Sequence, residues 1–142
     1  MLIVLAATGL VGVLTASTAQ AGISAASHGL SADGYFYAAR DAYGKGPYCR
    51  WSTSDPDWST CNRSDGIGTI GGMRNRASQI FNNTNKAVIV YWGLNYTGAW
   101  RCLPPGKAYD DLSRWGFPPN GDGDGETMDD NISSHKMVAR CP

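Results

Sequence analysis

Two apolar stretches in the middle of the chain predict a pair of antiparallel strands. Ala87–Tyr91 is β-branched and largely apolar, and Trp100–Leu103 alternates apolar with polar positions. Gly93 and Gly98 lie between them and can adopt positive φ without a steric clash, so the chain can reverse sharply there. The pattern therefore predicts a folded β-hairpin in which the Tyr96 ring returns towards the end of the first strand.

An earlier stretch repeats this pattern less regularly. Residues 34–46 run from aromatic to turn-forming positions and predict a first hairpin, with Tyr37 and Tyr43 as its aromatic pair. Serine-bearing segments at 73–83 and 129–134 follow the two hairpins, so the same order of elements occurs twice. The 18 glycines, seven prolines and weak helical periodicity favour an all-β chain with many turns.

The N-terminal residues predict export. Residues 1–21 are apolar and small and end in Ala19-Gln20-Ala21, the pattern of a secretory signal peptide with its cleavage site. Residues 22–33 are rich in Ala, Ser and Gly and predict a flexible arm, which leaves residues 34–142 as one domain. No later stretch is long enough to span a bilayer, so we expect a secreted, extracellular protein without a membrane anchor.

The charge balance limits the choice of partners. Twelve basic and twelve acidic residues give a formal net charge of zero. A neutral chain lacks the electrostatic attraction that nucleic acids and polyanionic surfaces require. We therefore expect neither a nucleic acid nor a membrane as partner.

Four cysteines in an exported chain predict structural disulfides. The oxidising compartment favours pairing, and four cysteines allow three connectivities. We favour Cys49–Cys61 with Cys102–Cys141, because each bond then stays within one half of the chain. The second bond would staple the C-terminus to the outgoing strand of the second hairpin.

The second half of the chain resembles a known superfamily. Tyr91, Tyr96 and Gly98 have the spacing of the Greek-key signature of the βγ-crystallin superfamily. The hexapeptide at 129–134, Asp-Asp-Asn-Ile-Ser-Ser, is similar to the calcium-site hexapeptide of that superfamily. The resemblance implies two Greek-key motifs that pack as a disulfide-stapled, two-sheet sandwich.

The same resemblance implies a calcium site. Calcium takes about six to eight oxygen ligands from carboxylates, carbonyls and hydroxyls. The ligands implied here come from both halves of the chain: Asn75, Ser78, Asp129, Asp130 and Ser133. Arg74 and Gln79 depart from the pattern in the first half. The alternative is that the two serines only form hydrogen bonds to the folded hairpins.

Two tryptophans in the segment closed by Cys49 and Cys61 allow two interpretations. Trp51 and Trp58 could close one end of the core. They could instead form an exposed aromatic surface that binds a partner, held rigid by the disulfide, because rigid aromatic anchors are typical of partner-binding patches.

The sequence does not predict an enzyme. It has two histidines, His28 and His135, and neither a His-Glu-x-x-His nor a Gly-x-Ser-x-Gly motif. Segments 73–83, 91–103 and 129–141 resemble the actinobacterial metalloproteinase inhibitors of peptidase inhibitor family I36. The resemblance implies a secreted inhibitor of an extracellular metalloprotease, but no residue here matches an inhibitory loop of the family. A disulfide-stiffened loop has a lower ordering cost on docking into a cleft, so the segments flanking Cys61 or Cys102 are the candidate contacts.

The alternative is a different class of secreted protein. A crystallin-like sandwich could serve as an adaptor or assembly subunit of a secreted complex, or as a toxin-like factor, with residues 22–33 becoming ordered on contact. In both interpretations the partner is another secreted protein.

Overall fold

Two antiparallel sheets form a sandwich in the computed structural model, which describes residues 32–61 and 71–142. The strands are β1 Tyr35–Ala39, β2 Tyr48–Trp51, β3 Gln79–Asn83, β4 Ala87–Tyr91, β5 Trp100–Leu103, β6 Ala108–Tyr109 and β7 Ser134–Val138. Their order is β2-β1-β3-β6 in one sheet and β5-β4-β7 in the other. No helix in these two ranges is long and apolar enough to cross a membrane. The signal peptide and most of the arm predicted from the sequence lie outside the described residues.

The two halves of the chain exchange short segments between the sheets. β6 belongs to the second half but pairs with β3 of the first, with Ile80 opposite Tyr109. In return, Asp55 of the first half forms a bridge to His135 in β7. Each half thus places three strands in its own sheet. The second half also adds β6 to the first sheet, and the first half adds the Asp55 bridge to the second. This arrangement confirms the all-β sandwich of two Greek-key motifs.

The two hairpins fold over in the same way. The Tyr43 amide donates to the Asp110 carbonyl at 2.7 Å, and the Asn95 amide donates to the Pro56 carbonyl at 2.9 Å. Asp110 directly follows β6, which the second half adds to the first sheet. Pro56 directly follows Asp55, which the first half adds to the second sheet. Tyr43 and Asn95 also share a left-handed backbone, with φ of 60° and 53°. Tyr43 therefore occupies in the first hairpin the place that Asn95 occupies in the second.

The aromatic pair is present in one hairpin only. The Tyr91 and Tyr96 rings lie 5.8 Å apart, as the spacing predicted. The prediction that Tyr37 and Tyr43 form the corresponding pair is wrong, because Gly44 takes the position equivalent to Tyr96. The Tyr43 ring therefore points outwards and is 54% exposed.

The two tryptophans of the first disulfide segment lie in the core. Trp58 is fully buried and Trp51 is 5% exposed, and their rings stack at a centroid distance of 4.8 Å. Trp51 lies opposite Phe36 in the β1–β2 register, and both residues face the inside of the sandwich. The interpretation of Trp51 and Trp58 as an exposed partner-binding surface is therefore wrong. They close one end of the core.

Both disulfides have the connectivity favoured from the sequence. Cys49 in β2 is bonded to Cys61, and Cys102 in β5 is bonded to Cys141. The second bond attaches the C-terminus to the outer strand of its sheet.

Candidate functional site

The two serine segments interlock through reciprocal backbone hydrogen bonds. The Asn75 amide donates to the Ile132 carbonyl at 2.9 Å, and the Asp130 amide donates to the Ala77 carbonyl at 3.1 Å. Asn75 and Asp130 both have a left-handed backbone, with φ of 52° and 58°. The structure thus brings the predicted calcium ligands of the two halves to one place on the molecule.

The serines of these segments also support the hairpins. The Ser78 amide donates to the carbonyl of Ala39 at 2.9 Å, and the Ser133 amide donates to that of Tyr91 at 3.0 Å, so each serine holds the end of a hairpin strand. The Ser133 hydroxyl donates to Asn75 Oδ1 at 3.0 Å. The contacts with the hairpins thus come from the backbone amides of the serines, whereas the Ser133 hydroxyl joins the two segments.

The adjacent carboxylates of Asp129 and Asp130 repel each other, and the nearby positive charge of Arg40 does not fully offset this repulsion. Burial and the neighbouring Asp129 charge raise the pKa of Asp130, while Arg40 acts in the opposite direction. Asp129 Oδ1 is buried, and no hydrogen-bond donor among the described residues reaches it. A buried carboxylate oxygen of this kind is costly unless it is paired, and a cation is one way to pair it.

The fit to calcium is confined to the second half of the chain. Arg74 stands at the position equivalent to Asp129 and would repel a cation. Within the described residues, no group of three or more His, Cys, Asp or Glu side chains is placed to hold a metal. A cation beside Asp129 and Asp130 would therefore take its remaining oxygens from hydroxyls, amides or carbonyls.

The segment before Cys61 is exposed but anchored at both ends. Ser59 and Thr60 are exposed, whereas the preceding Trp58 is fully buried and Cys61 is held by its disulfide. The Ser59 amide donates to Asp57 Oδ1 at 2.9 Å, which fixes the turn. The residues that follow Cys61 lie outside the described part of the chain up to position 70.

The segment before Cys102 is covered along its strand edge. Asn120 Oδ1 accepts from the Trp100 amide at 2.9 Å, and Asn120 Nδ2 donates to the Trp100 carbonyl at 3.0 Å. Gly121 packs so closely that an added Cβ would lie 2.6 Å from the Gly98 carbonyl carbon. Of the two segments that precede Cys61 and Cys102, the one before Cys61 is the more accessible and is firmly supported.

Comparison with known proteins assigns the family. The sequence profile of peptidase inhibitor family I36 matches residues 32–103, half of the chain. The chain belongs to peptidase inhibitor family I36. A search of curated proteins finds no match to this sequence.

Solved structures similar to this I36 chain are βγ-crystallin domains. One comes from work on the evolution of the eye-lens βγ-crystallin domain fold, with 15% identity, a TM-score of 0.55 and coverage of 76% of this chain and 88% of that one. A βγ-crystallin from Ciona intestinalis has 20% identity and a TM-score of 0.53 over 74% of this chain and all of that one. A βγ-crystallin from an archaeon has 15% identity and a TM-score of 0.50 over 73% and 96%. At these identities the likeness shows the fold alone.

Membership of the I36 family gives the role at a coarse level. The family consists of peptidase inhibitors, so the class of partner is a protein, a protease. An inhibitor family on a crystallin fold is not enzymatic, in agreement with the expectation from the sequence. The matched range 32–103 includes the exposed segment at Ser59 and Thr60.

One feature of this I36 chain was missed by the sequence analysis. A surface cleft of about 300 Å³ is lined mainly by Tyr43, Tyr109, Asp110, Asp111, Arg114 and Trp115. Its two exposed aromatic rings, Tyr43 and Trp115, come from opposite halves of the chain and line one cleft because β6 crosses into the first sheet. No sequence motif predicts this cleft. Finding it requires knowing which aromatic side chains are exposed and that β6 pairs with the sheet of the first half.

Proposed function

We propose that this I36 protein is exported and inhibits an extracellular metalloprotease. The observation that carries the proposal is the family match over residues 32–103. The metalloprotease class rests on the resemblance of segments 73–83, 91–103 and 129–141 to the metalloproteinase inhibitors of this family. Both disulfides support export, because such bonds persist in oxidising compartments.

The structure suits a protein that must bind a protease without being digested. Proteolysis of a folded domain needs local opening, which is less frequent where the backbone is cross-linked and buried. Each half of this chain is closed by a disulfide, and the Trp51–Trp58 stack fills the core beneath the first one. An exposed segment on such a support loses little conformational entropy on docking.

The segment at Ser59 and Thr60 is the contact that these properties favour among the described residues. Both side chains are exposed, and the chain on either side is fixed by Trp58 and by Cys61. A protease cleft would thus meet a short, already ordered loop. The metalloprotease contact proposed here includes this loop.

A matched pair of variants tests the contact. Thr60→Asp adds a negative charge in the loop, and Asn85→Asp adds the same charge in the exposed turn between β3 and β4. Inhibition of a secreted zinc metalloprotease should weaken by about tenfold or more for Thr60→Asp, because a desolvated charge in an interface is costly. Asn85→Asp should inhibit as the parent does. Equal inhibition by all three proteins, with unchanged melting temperatures, would show that the loop is not part of the contact.

We further propose that Asp129 and Asp130 bind calcium. The buried, unpartnered Asp129 Oδ1 and the raised pKa of Asp130 support this proposal. Calcium supplies no chemistry here and would act only on stability, by offsetting the repulsion between two adjacent carboxylates.

A further inference from the structure

Tyr43 is an exposed aromatic residue in a conformation that tyrosine rarely adopts. Its φ of 60° lies in the left-handed region, which favours glycine and asparagine. The equivalent residue of the second hairpin is Asn95, which tolerates that region. Tyr96 in the second hairpin lies in the same region, with φ of 64°, but its ring packs against Tyr91, whereas the Tyr43 ring is 54% exposed. The strained Tyr43 ring is therefore a candidate for contact with a ligand.

A second exposed ring completes the cleft. Trp115 is 39% exposed, and its ring packs against Tyr109 at a centroid distance of 4.6 Å. The Arg101 guanidinium lies 5.6 Å from the Trp115 ring centroid and donates to the Gly116 carbonyl at 2.8 Å. Trp115 is thus supported from beneath by its neighbours while it remains open to solvent.

The polar groups of the cleft already have partners within the protein. Asp111 forms an ion pair with Arg114, with 3.0 Å between Oδ2 and Nε. Asp110 Oδ1 accepts from Gln79 Nε2 at 2.8 Å. A carboxylate accepts several hydrogen bonds and a guanidinium has five donors, so both kinds of group retain capacity for a ligand. The lining has two carboxylates and one guanidinium, which disfavours an anionic ligand, and these groups can accept from and donate to the hydroxyls of an uncharged polar ligand.

We propose that this cleft binds a carbohydrate, the pyranose rings of a neutral polysaccharide. Sugar rings have apolar CH faces that pack on aromatic rings such as Tyr43 and Trp115. A hydroxyl group both donates and accepts, so one sugar hydroxyl can donate to a carboxylate of the cleft while it accepts from Arg114. A volume of about 300 Å³ lies at the lower end of the range for small-molecule sites and suits a short stretch of sugar rings.

This site goes beyond the proposed protease inhibition and does not depend on it. It would retain the inhibitor on a polysaccharide surface. A protein segment, such as part of the protease, is the competing occupant. The experiment below separates the two, because it measures polysaccharide binding and protease inhibition on the same variants.

The test is depletion of the purified protein from solution by insoluble cellulose, chitin and xylan. The key variant is Tyr43→Asn, which places in the first hairpin the residue that the second already has. The matched control is Asn95→Tyr, which puts a tyrosine at the equivalent position away from the cleft. Trp115→Ala removes the opposite ring. Melting temperature and inhibition of a secreted zinc metalloprotease are measured for each protein.

We expect saturable retention of the parent protein on at least one of the three polysaccharides, with release by soluble oligosaccharides of the same sugar. Tyr43→Asn and Trp115→Ala should each weaken retention by about tenfold or more, in line with the loss of one aromatic stacking partner. Asn95→Tyr should bind as the parent does, and protease inhibition should be equal for all four proteins. Absence of retention on all three polysaccharides, or full retention of a folded Tyr43→Asn, would overturn the proposal. Loss of protease inhibition in Tyr43→Asn would also overturn it, since the occupant would then be a protein.

Discussion

The indole Nε1 of Trp58 donates a buried hydrogen bond of 2.8 Å to Nδ1 of His135, at the end of the core that Trp51 and Trp58 close. Because an indole N–H can only donate, Nδ1 must accept, and the ring proton lies on Nε2, which donates to the Thr53 carbonyl at 2.9 Å. The imidazole is fully buried and lies within 5.1 Å of the Trp51 ring. This network holds a neutral histidine between the two halves of the chain.

The first prediction concerns the pH dependence of stability. Burial lowers the pKa of His135 to about 3, from an ordinary value of 6.5. Between these values the unfolded chain binds a proton that the folded chain does not, so the free energy of unfolding falls as the pH is lowered. The contribution of this group approaches about 1.4 kcal/mol per pH unit. Urea unfolding between about pH 5 and pH 7 measures it, in a range where carboxylates titrate little.

His135→Gln is the variant that isolates this effect. The amide offers an acceptor for Trp58 and a donor for the Thr53 carbonyl but has no protonated form in this range. The variant should be less stable at neutral pH because the packing between the rings is lost, and its stability should depend less on pH. Trp58→Phe keeps the histidine and should keep the pH dependence. Parallel pH profiles for the parent and His135→Gln would contradict this account.

A second prediction exchanges the left-handed residues of the two hairpins. Tyr43→Asn should raise the free energy of unfolding by about 1 kcal/mol, because asparagine tolerates positive φ better than tyrosine. Asn95→Tyr should lower it by a similar amount. Chemical unfolding of both variants measures the pair. Destabilisation by Tyr43→Asn would show that the Tyr43 ring contributes more to the fold than its exposure suggests.

The third prediction tests calcium at the acidic pair. If the folded protein alone binds the ion, calcium at about 100 times its dissociation constant should add roughly 2.7 kcal/mol to the free energy of unfolding. Asp130→Asn should abolish that gain. It should also slightly stabilise the metal-free protein at neutral pH, because a carboxyl with a raised pKa costs stability as it ionises. Identical melting temperatures in calcium and in chelator would show that the acidic pair is not a calcium site.

The fourth prediction concerns the two disulfides. On chain-entropy estimates, loops of the lengths closed here are worth about 3 kcal/mol for Cys49–Cys61 and about 4 kcal/mol for Cys102–Cys141. Replacing both cysteines of a bond by serine should destabilise the protein accordingly, with the larger loss for the second bond. Loss of the first bond should also weaken protease inhibition beyond its effect on stability, since it frees the loop at Ser59 and Thr60. Unchanged inhibition by a folded Cys49→Ser/Cys61→Ser variant would argue against a preorganised loop.

The second hairpin could be predicted from the sequence because its signals are local. The β-branched run of β4 and the alternation of β5 specify strands, and the ring pair of Tyr91 and Tyr96 follows from their spacing. The same logic failed for Tyr43, because the first hairpin keeps the backbone turn while a glycine replaces the second ring. The first hairpin thus has the backbone geometry of the turn but lacks its pair of aromatic rings.

The site was harder to predict because it depends on burial and on contacts between the halves. Nothing local distinguishes Trp51 and Trp58, which are buried, from Trp115, which is exposed. The cleft requires β6 to cross into the sheet of the first half, and only the assembled sandwich shows that Tyr43 and Trp115 line one cleft. The predicted calcium residues do meet in space, because the resemblance specified a motif from each half.

The most direct test of the central claim is titration of a secreted zinc metalloprotease of the His-Glu-x-x-His class with the purified protein, beside a secreted serine protease as control. We predict that metalloprotease activity falls linearly and is abolished at the stoichiometric point, that the inhibitor is recovered uncleaved in the complex, and that the serine protease is unaffected. Metalloprotease activity that stays unchanged over a panel of such enzymes, while the protein remains folded, would contradict the account.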